Sequence, residues 1–201
     1  MRYNTLVDII RRIKNFIIIH GMNFLSHFSK ARRGVIDFHL AENRRAWGNY
    51  APGLKYIEIQ DKLTDISYGK YKADYNACEV IAVQNALIAL GLEHDTEGFP
   101  YLLADFERKG SILKGFLGTA PKAIVKYLKN KGVAIEELTP VTSNLGKTSV
   151  QILIYQNGSK ITSGIHTICI LGSNTPIFLN GRPGDDSVLL RLYSLYLPPL
   201  S

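Results

Sequence analysis

Residues 77 to 90, ACEVIAVQNALIAL, are long enough for three to four helical turns and apolar almost all the way round. A helix of that kind belongs in the middle of a domain, because no face of it is suited to water. The remaining chain must therefore cover it on several sides. A chain of 201 residues with a hydrophobic fraction of 46% can do so as one domain, or as one domain plus an extension. Gly91 follows the run at a natural left-handed stop.

The elements around this helix change character along the chain. FPYLLADFERKG (99–110) reads as a short helix with a glycine stop. GTAPKAIVKYLKNKG (118–132) reads as a clearer one. Thr119 is its expected N-cap, Pro121 sits in the first turn, and lysines precede Gly132 at the negative end of the dipole. Beyond it come β-rich runs, SVQILIYQ, IHTICILG, PIFLNG and SVLLRLYSLYL, separated by Asn-Gly, Ser-Gly, Ser-Asn and Pro-Gly-Asp-Asp turns. Helices first and antiparallel strands later make an α+β fold, and the lack of βαβα alternation argues against a doubly wound sheet.

The charge is concentrated at one end. Residues 1–47 hold nine Lys or Arg against three acids, a balance of +6 out of a total of +7. The body, residues 48–201, is close to neutral, so no nucleic-acid footprint is expected. Leu6, Ile9, Ile10, Ile13, Phe16 and Ile17 fall at helical three-and-four spacing, with Asp8, Arg11, Arg12 and Asn15 on the other side. The basic residues interrupt any secretory h-region, and no run approaches the roughly 20 apolar residues of a membrane span. Two readings stay open for this basic amphipathic segment of one or two helices. It packs its stripe on the main domain, or it makes peripheral contact with an anionic membrane surface. The size of the apolar patch otherwise left exposed favours packing. After Gly34 the text turns irregular, and RRAWGNYAPGLKY (44–56), with Gly48, Pro52 and Gly53, reads as a linker or loop.

Two cysteines make no disulfide scaffold, and nothing argues for an oxidising compartment, so a cytoplasmic protein, at most at the membrane surface, is expected. The scattered histidines offer no metal-ligand spacing, and no phosphate-binding glycine motif is present, so neither a metal nor a cofactor is expected.

The two cysteines differ in position. Cys169 lies mid-strand and reads as an inert core thiol. Cys78 stands at the head of the central helix, where Asn76 and Glu79 resemble a capping box. With Asn76 as N-cap, the free N–H groups and the helix dipole would favour a thiolate. A nucleophilic thiol needs a base and the base an orienter. His20, His27 and His39 lie in the basic segment and His94 in a polar loop, whereas His166 opens a strand. Asn180 ends the next strand, and in a hairpin it returns beside His166. Taken alone, Asn180 before Gly181 is a turn residue.

The order Cys78, His166, Asn180 on helix start, strand start and strand end resembles the papain-like cysteine peptidases. It is most similar to the bacterial bacteriocin-processing (double-glycine leader) peptidases. Their C-x-x-x-A-x-x-x-x-L-x-x-x-G and G-x-x-P-x-x-I-x-x-x-L-x-x-x-G helices are matched by CEVIAVQNALIALG and GTAPKAIVKYLKNKG. Their H-x-x-x-[IVL]-x-G and [IVF]-x-[ND] strands are matched by HTICILG and FLN. The resemblance covers about residues 70 to 185. It implies a helical lobe around the nucleophile helix, an antiparallel β-lobe, and a cleft between Cys78 and His166. It also implies cleavage of a peptide or protein substrate through a thioester. Cys78 would be nucleophile, His166 base and acid, and Asn180 the orienter, with Asp185 or Asp186 in its place if Asn180 faces away. Two departures stand out. Glu79 occupies the usual glycine position after the nucleophile, and no Gln lies about six residues before Cys78. Tyr71, Lys72 or Asn76 would then stabilise the oxyanion with the Cys78 N–H. The alternative is an inactive relative that binds a peptide or a partner protein.

Overall fold

In the computed structural model, residues 3–28, 33–50, 55–158, 163–172 and 175–199 are described, with side chains from residue 13 onward. Leu6, Ile9 and Ile10 of the expected N-terminal stripe therefore lie outside the described side chains. So do Pro52 and Gly53 of the expected linker and parts of two hairpin turns.

The chain is mixed α+β with antiparallel sheets. Helices α1 (Tyr3–Leu25), α2 (Arg33–Tyr50), α3 (Ala73–Asn76), α4 (Cys78–Ala89), α5 (Phe99–Lys109) and α6 (Pro121–Asn130) precede most of the strands. Strands β1 (Ser67–Tyr68) and β2 (Tyr71–Lys72) form a small ribbon. Strands β3 (Ala134–Leu138), β4 (Val150–Gln156), β5 (Ile165–Leu171), β6 (Ile177–Leu179) and β7 (Val188–Tyr196) form one antiparallel sheet in the order β3-β7-β4-β5-β6.

As its composition requires, α4 is covered all round, with Cys78 through Ile88 buried. It lies on β4 and β5 and touches α5 and α6. Cys169, Ile152 and Ile154 face it from the sheet, while Leu153, Ile168 and Ile170 fill a second cluster on the far side. That split follows from the side-chain period of 2 in strands. Its polar residues are used to tie down irregular chain. Asn85 exchanges two hydrogen bonds with the Ile57 backbone (2.9 and 2.8 Å), and Gln84 donates to the Asp95 carbonyl.

Two local expectations are corrected. The cap of α6 is not Thr119; Ala120 takes the cap position, and Asn23 of α1 accepts the Lys122 N–H at 3.0 Å. Thr119 is buried and bonds the Tyr68 hydroxyl instead. Residues 44–50, expected in a linker, continue α2. Ile36, Asn43 and Trp47 give that helix one buried face, and Trp47 packs on Phe99 with ring centroids 5.0 Å apart. Asn43 exchanges hydrogen bonds with both backbone groups of Ser67, at 2.8 and 2.7 Å. Tertiary contact outweighs the glycine here, since Gly48 sits on the exposed side of the helix. Among the described residues no helix is long and apolar enough to cross a membrane.

Candidate active site

Cys78 is the first residue of α4. Its N-cap is Ala77, not Asn76, and no side chain caps the helix. Asn76 ends the short preceding helix α3, with its amide donating to the carbonyls of Tyr68 and Gly115. The expected capping box is therefore absent: Ala77 takes the cap position, and the Asn76 Oδ1, the atom that would accept a cap bond, is buried with no hydrogen-bond partner.

The thiol points at the sheet. The Thr167 N–H, one residue beyond His166, is directed at the Cys78 sulfur. Thr167 lies past the last residue that β6 pairs, so its strand edge is open there. Tyr155 stands directly opposite His166 in the β4–β5 ladder and meets its ring edge-on at 5.6 Å. Tyr155 is also close enough to Cys78 for a thiolate to raise its phenol, which burial first pushes up, to about 12. Tyr155 belongs to the cluster on the sheet face away from α4, and the Cys78 sulfur meets the β5 backbone at Thr167; no contact between that sulfur and the His166 ring is among those described.

His166 is held by Asn180, though not as expected. Its Nε2 lies 2.6 Å from the backbone carbonyl of Asn180. A carbonyl only accepts, so Nε2 carries the proton, and in the neutral ring Nδ1 is the acceptor. Gly181 makes room for this contact: it has φ +109°, and a Cβ there would come within 3.2 Å of Nε2. The Asn180 side chain turns the other way. Its Oδ1 accepts the Gln60 N–H at 2.8 Å, and its Nδ2 donates to Gln60 Oε1 at 3.1 Å. Asn180, at φ +68°, is both the turn residue that its Asn-Gly setting suggests and a neighbour of the histidine. Asp185 and Asp186, the expected substitutes, have no contact with His166 among those described.

Gln60 is the residue that sequence reading misses. Besides its two bonds to Asn180, its Nε2 donates to the carbonyls of Ala73 and Asp74, both at 2.9 Å. It therefore ties the turn entering α4 to the turn leaving β6. It lies 18 positions before Cys78 and 120 before Asn180, so no short spacing marks it. The one local hint is an uncharged amide between Ile57 and Leu63 that ends up buried.

Of the three expected oxyanion donors, Lys72 and Asn76 have their donors engaged elsewhere, and Tyr71 packs its ring on neighbouring aromatics. Lys72 Nζ reaches the Asp65 carbonyl and the Ser67 hydroxyl at the surface. The Tyr71 ring packs at a tilt against Tyr75 and Phe116, with centroids 5.2 and 5.8 Å away. Asn76 has both amide hydrogens committed, and so does Gln60. What remains beside the sulfur is the N-terminus of α4, where the Cys78 N–H has no intrahelical acceptor.

The electrostatics overturn the expectation of an activated thiolate. Burial raises the Cys78 thiol well above its ordinary value. The Glu79 carboxylate raises it further by repulsion and by accepting the S–H, and the Thr167 and Glu79 N–H groups offset only part of this. Glu79 is itself buried, which pushes its carboxyl up to about 7 despite N–H groups from Glu79 and Thr119 and the Cys78 thiol. Its Oε2 has no hydrogen-bond partner. Gly118, at φ +68°, accommodates it: a Cβ there would lie 2.7 Å from the carboxylate. Burial lowers His166 below its ordinary value, against the Asn180 carbonyl and Asp61. Burial thus favours the protonated thiol at Cys78 and the neutral imidazole at His166. Cys169 is deeper still and inert, raised by burial alone.

Beside His166 opens a cleft of about 580 Å³, lined among others by Asp61, Asp74, Tyr75, Tyr155, Asn180 and Arg182. Among the described residues no group of three or more His, Cys, Asp or Glu could hold a metal ion. Comparison of the chain with protein families, with curated proteins and with solved structures finds no match.

Proposed function

We propose that this chain is a papain-like thiol hydrolase or acyl-transfer enzyme acting on a peptide substrate. The observation that carries this reading is the meeting of α4 and β5. The Cys78 sulfur abuts the backbone beside His166, while Asn180 fixes the imidazole in the tautomer that leaves Nδ1 free to accept. As the sulfur attacks a carbonyl carbon, its proton passes to Nδ1. The imidazolium then returns that proton to the departing amine, leaving a thioester that water or another nucleophile resolves. The Cys78 N–H at the positive end of α4 faces the developing oxyanion. Asn180 orients His166 through its main chain, and Gln60 holds Asn180.

The catalytically inactive, peptide-binding alternative rests on its own observation. The carboxylate of Glu79 occupies the thiol, and every side-chain amide near it is already bonded. One experiment separates the two: peptide substrate is supplied to the wild type and to Cys78→Ala and His166→Ala, and the thioester is sought by intact-protein mass spectrometry. The enzyme reading expects an adduct on Cys78 that is absent in Cys78→Ala and at least about a hundredfold slower to form in His166→Ala. Peptide binding with no adduct in the wild type supports the alternative.

A further inference from the structure

We propose that α1 is a docking surface for an anionic membrane. The helix has two long faces with different surroundings. Ile19 and Met22 are buried, Asn15 Nδ2 donates to the Leu189 carbonyl, and Asn23 caps α6, so one face is fixed to the body. The opposite face is a stripe at three-and-four spacing: Ile13, Phe16, Ile17, His20 and Phe24. Its apolar members are 55%, 59%, 62% and 63% exposed in that order. Phe16 and His20 lie ring on ring at 3.9 Å, so the stripe is continuous along the helix. A patch of four large apolar side chains on one helix face is more than scattered surface hydrophobicity.

The charge beside the stripe selects the partner. Lys122, Lys126 and Lys129 are exposed on one face of α6, and they share a groove with His20 and Asn23 of α1. The one acid in that groove, Glu137, is paired with Arg191 at 3.2 Å. Lys122 rests its ammonium 3.1 Å from the exposed His27 ring, and none of the three lysines is ion-paired to a carboxylate among the described residues. Apolar and aromatic side chains flanked by such lysines are what an interfacial helix offers to lipid: the stripe enters the acyl boundary and the ammonium groups meet anionic headgroups. No described helix is apolar enough to cross, so α1 lies in the plane of the surface. The fixed inner face means that the whole folded chain is carried with it.

The test is co-sedimentation of the full chain with phosphatidylcholine vesicles and with phosphatidylcholine–phosphatidylserine vesicles. Phe16→Ser/Ile17→Ser and Lys122→Gln/Lys126→Gln/Lys129→Gln variants are run beside it, with circular dichroism to show that each is folded. The expected result is binding to the serine-containing vesicles alone, weakened at least severalfold by added salt. The apolar variant loses it and the lysine variant weakens it at least tenfold. Failure of the folded wild type to bind, equal binding to both vesicle types, or undiminished binding by the apolar variant overturns the proposal. A concentration-dependent dimer abolished by Phe16→Ser/Ile17→Ser, without vesicle binding, also overturns it and makes the stripe a self-association face.

Discussion

Glu79 holds an ionisable carboxyl against a thiol inside the protein, and this single residue sets two measurable properties. Its folded carboxyl titrates at about 7, above the ordinary carboxylate value, because burial disfavours the charge. A group raised on folding contributes its full stability below its unfolded value and loses it as pH rises through the folded one. Stability should therefore fall between about pH 4.5 and pH 7, by roughly 3 kcal/mol from this group. Glu79→Gln removes that slope, so denaturant midpoints of wild type and variant should diverge from pH 5 to pH 8, with the variant the more stable at pH 8. The same substitution removes the charge that opposes thiolate formation. Iodoacetamide should then label Cys78 several times faster in Glu79→Gln than in the wild type at pH 8, with Cys169 unlabelled in both. If labelling slows in the variant, Glu79 assists the thiol instead of restraining it. Both effects escape a reading based on position along a helix. The sequence places Cys78 at a helix start, where the dipole favours a thiolate, but does not tell how deeply the start is buried. Desolvation and an adjacent carboxylate outweigh a dipole contribution of about 0.3–1 kcal/mol.

At the scale of elements, periodicity located what is regular and failed where distant side chains replace local ones. Helix α4, expected over 77–90, spans Cys78–Ala89, and the four β-rich runs become β4 to β7 of one sheet. The turn chemistry of Asn180-Gly181 was legible too, as was the return of that turn to His166. Which atom of Asn180 would face the ring was not, because that depends on Gln60, 120 residues away. A distant side chain also explains the α6 cap, where Asn23 of another helix does the work assigned to Thr119, while Asn76 instead ends α3 with its amide donating to the Tyr68 and Gly115 carbonyls. Gln60 provides the sharpest test of this cross-chain bracing. Gln60→Ala removes the side-chain bonds to Ala73, Asp74 and Asn180 and leaves buried carbonyls unpaired, for a loss of about 2–4 kcal/mol in denaturant unfolding. If Gln60 also positions His166 through Asn180, the variant should be less active than its remaining folded fraction allows. The less disruptive Gln60→Glu keeps the acceptor for Asn180 but repels the Ala73 and Asp74 carbonyls. Its activity should fall while the fold persists. Full activity in both variants would limit Gln60 to a structural role.

At the scale of the whole molecule, the basic N-terminal helices are both part of the fold and an outward surface, and the two roles lie on different faces. Sequence alone posed packing and membrane contact as rivals, because amphipathicity shows that a stripe exists but not how many sides of a helix are covered. On the inward side, α2 buries Ile36 and Trp47 and places His39 at 2.9 Å from the buried carboxylate of Glu107, which also accepts the Gly69 N–H. On the outward side, Phe16 and Ile17 touch mostly solvent. Substitutions on the two faces must then behave oppositely. Trp47→Ala leaves a cavity between α2 and α5, and a large-to-small change of that kind removes about 3–5 kcal/mol. Out of a typical total of roughly 5–15 kcal/mol, that is enough to bring a chain of this size near its unfolding threshold. His39→Ala strips a partner from a buried carboxylate and should remove about 1–3 kcal/mol, more of which His39→Gln restores by donating in its place. Phe16→Ser/Ile17→Ser deletes no buried contact and should shift the denaturant midpoint little, within about 0.5 kcal/mol. Removal of residues 1–50 combines the inward losses and exposes the faces of α5 and α6 that these helices cover, so the shortened chain should lack a cooperative unfolding transition. A truncated chain that still unfolds cooperatively at the wild-type midpoint would show that the body folds without its N-terminal helices, and the contacts of Trp47, His39 and Asn43 would then contribute nothing to its stability.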